Sequence, residues 1–235
     1  MFDDFVFNVV LMLLSYAYIV LVIVFSSRME AVLSVSRKTS RKFLHIMIGN
    51  LLFIIPFFTL SFFPALVAAP FILVTFLASH YSPFDALSRK LKGLADITEE
   101  GHNLGLFFYA VSYTFLAYFF TSKPYVVAVG VLPMAYGDAV ASIIGERYGK
   151  RKYVLVARKS LEGSLGMFLV SLVSLFGSLA FFSIFHPFSI MDKVVPTVAA
   201  ASVATLVEGS SPMGFDNLTV PAFSVLTFLL FGGGA

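Results

Sequence analysis

Asp138, Glu208 and Asp216 are carboxylates set in apolar surroundings, and Lys150, Arg158 and Lys159 crowd a short basic run between the first two. Arg41, Lys42 and His45 form a second cationic group near the start of the chain. Together these side chains could handle a polyphosphate. Cations and a helix start suit the phosphates, carboxylates suit a hard divalent cation, and a His or Asp suits a proton in transit. In VLPMAYGDAVASIIG, the residues Ala141, Ser142 and Gly145 follow Asp138 at helical spacing. They leave a thin face that lets a neighbour approach, and a carboxylate there needs a partner or a metal. In ARKSLEGSLG, Ser160 suits a helix N-cap, so the amides of Leu161, Glu162 and Gly163 would face an anion beside Arg158 and Lys159. Gly163 and Gly166 would allow close backbone approach. In TLVEGSSPMGFDNLTVPAFS, Glu208, Asp216 and Asn217 are candidate ligands for Mg²⁺.

Each feature also has a structural reading. Asp138 could sit in an ion pair, the basic run could anchor a membrane protein, Asp216 could cap a helix, and His45 could be a buried hydrogen-bonding residue. GERYGKRK is not a phosphate loop: three residues, not four, separate Gly145 from Gly149, and Arg151 follows Lys150 where Ser or Thr is required. It reads as a basic turn. His80, His102 and His186 are too dispersed for a zinc site, and the lack of Cys excludes disulfides and thiolate chemistry.

The elements that must hold these residues are membrane helices. Of 235 residues, 59% are hydrophobic and 12% charged, with a mean hydropathy of +0.93. That composition indicates one multi-pass membrane domain over 1–235, an all-α bundle of about 7–8 transmembrane helices. Apolar runs fall at roughly 5–26, 43–61, 63–80, 103–121, 124–145, 161–185, 194–208 and 218–231. The last two are short for a bilayer about 30 Å thick. Residues 82–100 read as an amphipathic interfacial helix, with Phe84, Leu87, Leu91 and Leu94 on one stripe and Arg89, Lys90 and Lys92 off it. The GGGA tail reads as a frayed end. Segments 27–42, 81–102, 146–160 and 209–217 hold 14 of the 16 Lys/Arg, which makes their side cytoplasmic and puts the N-terminus outside. The polar candidates, with Glu99, Glu100, His102 and Asn103, all collect at that face.

RKFLH (41–45), GDAVASIIGERYGKRKY (137–153), RKSLEGSLG (158–166) and Glu208 with GFDNLTVP (214–221) together resemble the CTP-dependent polyprenol kinases, which include dolichol and phytol kinases. The middle block is also similar to phosphatidate cytidylyltransferases. The basic, aspartate-rich C-terminal signature of those enzymes is absent here, where Lys193 is the only basic residue between His186 and Asp216. The resemblance implies transfer of the γ-phosphoryl of CTP to a membrane isoprenoid alcohol. Lys150, Arg158, Lys159, Ser160, Glu162 and Gly163 would hold the nucleotide. Asp138, Glu208 and Asp216 would hold Mg²⁺, and Asp138 or His45 would take the alcohol proton. Arg41, Lys42 and Asn217 would be further contacts. The expected partners are CTP, a lipid alcohol and the bilayer, not nucleic acid; the oligomeric state is open. Nucleotidyl transfer from the same site is the alternative reaction. A transporter is a second alternative, against which stand the missing internal repeat and the one-sided polar face.

Overall fold

The structure is a computed structural model that describes residues 2–79, 81–83, 104–212 and 214–235. The described residues are helical apart from one two-stranded hairpin. The helices are α1 (Phe2–Leu33), α2 (Arg37–Gly49), α3 (Phe63–Ala78), α4 (Gly105–Phe119), α5 (Pro124–Arg147), α6 (Leu161–Phe182), α7 (Val194–Ser210) and α8 (Asp216–Leu230). Every apolar run of the sequence corresponds to one of them. Among the described residues, four segments could cross a membrane by length and composition: Asp3–Met29, Arg37–Phe57, Pro124–Arg147 and Leu161–Phe182. The helices Phe63–Ala78, Gly105–Phe119 and Asp216–Leu230 are apolar but shorter. Of the interfacial helix expected over 82–100, residues 84–100 lie outside the described residues, as do Glu99, Glu100, His102 and Asn103.

The chain divides into two compact units, 1–121 and 122–235. No change in composition marks that boundary, which falls in the short polar turn between α4 and α5.

In the first unit α1 packs on α2 and α3, and α3 packs on α4. Helix α1 outruns its apolar stretch and reaches Leu33, because SSRMEAVL contains good helix formers and no Gly or Pro. Only residues 34–36 then connect it to α2, with Ser34 at φ 55° making the bend and Ser36 accepting the Thr39 amide as N-cap. The polar connection is therefore much shorter than hydropathy suggests. Asn8, fully buried on α1, accepts from the amides of Thr59 and Leu60 and donates to Thr59 Oγ1 and Asp4 O. It pins α1 to the turn before α3 with all its polar atoms satisfied. Pro56 lies in a 3₁₀ segment, Asn50–Phe57, that continues α2.

In the second unit α6, α7 and α8 surround the middle of α5. The interfaces use small residues: Ala200, Ala201 and Ala204 of α7 are fully buried, and Ala139 of α5 is nearly so. Pro133 has no N–H to give to the carbonyl four residues back. The helix absorbs this as a π-helical turn over Pro133–Gly137, and the Asp138 N–H reaches back to Pro133 O. Such turns often mark functional positions. The C-terminal tail is not frayed. The Gly233 N–H donates to Phe228 O, and Lys123 and Lys193 donate to the carbonyls of Gly234 and Ala235. The two Lys/Arg outside the basic segments thus hold the tail, an arrangement no local pattern announces.

Candidate active site

The second unit gathers most of the candidate residues at one end of α5. β1 (Lys152–Val154) and β2 (Arg158–Ser160) form an antiparallel hairpin with Tyr153 opposite Lys159. Ser160 ends β2 in extended backbone and caps α6, its hydroxyl accepting the Gly163 N–H at 3.1 Å. The basic run of the sequence is therefore a hairpin clamped between two membrane-length helices.

Lys159 projects from this hairpin to an ion pair with Glu208, in the last turn of α7. Glu208 is 2% exposed. A carboxylate this buried is stable as an anion only if it is paired. Burial alone would lower the Lys159 pKa, but the Glu208 carboxylate, with Asp138 and Asp216 behind it, outweighs burial and raises it. Asp216, at the start of α8 and 7% exposed, interacts with the charges of Asp138, Lys159 and Glu208. Its Oδ1 accepts the Asn217 N–H at 2.9 Å. One ammonium thus faces a field of three carboxylates, a net negative pocket that a further cation would balance.

The fit of Mg²⁺ follows from that arrangement. Among the described residues, no three His, Asp or Glu side chains converge as a ready metal cage. Glu208 is committed to Lys159, so the sequence-derived trio of Asp138, Glu208 and Asp216 is not a closed set of ligands. Mg²⁺ seldom needs one, since it is commonly held by one or two carboxylates together with substrate phosphates and water. Asp138 and Asp216 fit that mode.

The start of α6 is more occupied than its sequence suggests. The Leu161 amide donates to Arg151 O at 3.0 Å, and Ser160 takes the Gly163 amide. Glu162 accepts the Arg151 N–H at 3.2 and 3.3 Å, and the backbone amides of Lys150 and of Glu162 itself also bond to its carboxylate. Glu162 therefore organises the turn that carries Lys150 and Arg151. Gly163 serves the approach of a helix rather than of a ligand: a Cβ there would lie 2.7 Å from Ala141 O and 3.2 Å from Gly145 Cα. Gly166 packs against Ile144 in the same way. Lys150 and Arg158 remain exposed on the hairpin.

Three further residues shape this region. Lys152 Nζ donates to Gly145 O at 2.8 Å, closing the C-terminus of α5. The Tyr153 hydroxyl is 2.7 Å from Ser164 Oγ on α6. A Cβ on Gly209 would meet that hydroxyl at 2.7 Å. Tyr153 thus ties hairpin, α6 and α7 together beside Glu208. Its only sequence signal is its place next to the basic run.

Arg41, Lys42 and His45 lie on α2 in the first unit. Lys42 and His45 are buried. The His45 ring meets the edge of Tyr109 at 5.0 Å, and the Tyr109 hydroxyl donates to His45 O at 3.2 Å.

No family model matches the chain, and no solved structure matches it. Curated proteins do. Over 145 residues it is 39% identical to phytol kinase of Synechocystis sp., covering 60% of each chain. It is 28% identical over 205 residues to dolichol kinase of Saccharomyces cerevisiae, covering 82% of this chain and 37% of the yeast protein. It is 30% identical over 132 residues to the chloroplastic farnesol kinase of Arabidopsis thaliana, covering 54% of this chain and 43% of that one. The matched region thus spans between about two fifths and three fifths of the length of these relatives. In sequence the chain is thus similar to phytol, dolichol and farnesol kinases, each matched over part of its length.

Proposed function

We propose that the chain is an isoprenoid-alcohol kinase that moves the γ-phosphoryl of CTP to the hydroxyl of a membrane lipid alcohol. The observation that carries this reading is the buried Lys159–Glu208 pair, set among Asp138 and Asp216 at the base of a basic hairpin. The names of the relatives support kinase chemistry over nucleotidyl transfer or transport.

Phosphoryl transfer asks a protein mainly for positioning and charge stabilisation. Lys159 is held charged and partly desolvated, where an ammonium acts strongly on phosphate oxygens. Lys150 and Arg158 lie outside it as exposed cations for the rest of the polyphosphate. Asp138 and Asp216, with Asn217 beside them, would hold Mg²⁺ against the phosphates, and the ion would neutralise charge on the transferring group. In the step itself the alcohol oxygen bonds to the γ-phosphorus and the bond to the β-bridging oxygen breaks. CDP leaves with that electron pair, and the alcohol proton passes to Asp138 or His45. Substituting each of these two in turn identifies the base by which change removes the acidic limb of the pH–rate profile.

The four long helices and the shorter ones together would make a bundle of 7–8 spans. The concentration of Lys and Arg in one side's connections supports a cytoplasmic site and an outer N-terminus. The test is turnover by purified protein with Mg²⁺ and a panel of prenols and lipid phosphates. Label from γ-labelled CTP entering the prenols is the expected result. Label from α-labelled CTP entering lipid phosphates would instead make it a cytidylyltransferase.

A further inference from the structure

The first unit contains an apolar groove set between α1, α2, α3 and α4, with about 70 Å³ open to a water-sized sphere. Protein interiors are normally packed too tightly to leave such a space. Its α3 wall is one helical face, Val67, Ala68, Phe71 and Thr75. Those eight residues of rise give a length of about 12 Å.

The walls are almost wholly apolar, and two of the hydroxyls on them are turned to the backbone. The Thr75 hydroxyl donates to Phe71 O, and the Tyr109 hydroxyl to His45 O. Ordered water would find few partners there, so the groove suits a hydrocarbon.

One end differs from the other. His45 and Tyr109 are level with each other by their ring contact, and Leu106, beside them on α4, packs on Val22 and Leu44. At this end α2 carries Lys42 and Arg41 just before His45, and Lys42 is itself buried. The opposite end, at Leu51 and Val67, offers hydrocarbon alone. The groove thus ends at the His45 and Tyr109 rings on one side and in hydrocarbon alone on the other.

We propose that this groove is the binding site for the isoprenoid tail of the acceptor alcohol, with the hydroxyl at the His45 end. The proposal rests on the kinase reading for the identity of the ligand. A slot this short holds the part of the chain nearest the hydroxyl and leaves the remainder of a long polyprenyl tail in lipid. The enzyme then selects on the first isoprene units and tolerates length beyond them.

The test uses the full chain in lipid nanodiscs and a farnesol analogue bearing a diazirine on its chain, with adducts mapped by mass spectrometry. The expected adducts lie on 67–75 of α3 and 106–113 of α4 and are competed by phytol but not by excess phospholipid. Ala68→Phe, which fills the groove, should cut labelling and raise the KM for farnesol by about ten-fold or more. Leu73→Phe lies on the same helix but is 61% exposed, away from the groove, and should leave both unchanged. If Ala68→Phe does not yield monodisperse protein, Ala110→Leu on α4 takes its place. Adducts confined to other segments, labelling indifferent to both filling variants, or equal competition by phospholipid would each overturn the proposal. Labelling in the groove without turnover of any alcohol would leave the groove standing and remove the kinase reading. Turnover with an unlabelled groove would do the reverse.

Discussion

The hairpin site of the second unit and the groove of the first are built by opposite means. Around the hairpin, polar atoms are spent on one another: Ser160 on Gly163, Glu162 on the turn amides, Lys152 on the end of α5, Lys159 on Glu208. Gly145 and Gly163 bring two helix backbones together there with no room for a methyl group. In the groove the walls are branched and aromatic side chains that leave space unfilled. A rigid, charged frame suits a ligand that must be aligned to a fraction of an ångström. A loose apolar slot suits a chain recognised by its greasiness. On the proposed reading, nucleotide chemistry belongs to the hairpin and tail binding to the groove, and substitutions should separate the two.

The largest effect belongs to Lys159. Lys159→Ala leaves Glu208 buried without its cation, at a cost of about 3–5 kcal/mol, and turnover should fall by about a thousand-fold or more. Thermal unfolding in detergent and initial rates read the two losses. Because the folded pKa of Lys159 is raised, its stabilising contribution is whole below the usual lysine value of about 10.4 and is lost only as pH climbs through the higher folded value. The stability gap between wild type and Lys159→Met should therefore be flat from neutral pH up to the usual lysine value of about 10.4 and shrink above it.

Asp138→Asn comes next. The side chain is half-buried and the change keeps its shape, so the fold should hold while turnover drops by about a hundred-fold or more. Equal activity in this variant would remove Asp138 from the site. Gly163→Ala follows, because the new Cβ would press on the Ala141 carbonyl at 2.7 Å and force α5 from α6. The expected cost is about 1–3 kcal/mol, with a parallel loss of activity. Gly177→Ala on the same helix meets nothing within 4 Å and should stabilise by about 0.5–1 kcal/mol through helix propensity alone. A similar cost at both glycines would contradict the tight-frame account. Smallest is Glu162→Gln. Its carboxylate anchors the turn at Lys150 and Arg151, so amide exchange at those two residues should quicken and the KM for CTP should rise more than kcat falls.

The sequence announces some of this architecture and conceals the rest. Apolar runs set the helices because membrane length and hydropathy are local properties. The Ser160 cap is local too, and Asp138, Lys159, Glu208 and Asp216 stand out because ionisable residues are costly in oil. Contacts between distant segments leave no such trace. That Gly163 meets Gly145, that Glu162 folds back on its own turn, and that Lys123 and Lys193 hold the tail are products of packing. Asn8 reads as an odd polar residue in a span until Thr59 and Leu60 are brought to it. The groove is the extreme case, since a space has no residues of its own and the apolar composition of its walls is that of any membrane helix.

The central claim is tested most directly by where the label of CTP goes. Purified protein with Mg²⁺, farnesol or phytol, and a phosphatidate control should carry label into the prenol from γ-labelled CTP and none into lipid from α-labelled CTP. Label from the α-phosphorus in the phosphatidate product, with none in the prenol, would contradict the account.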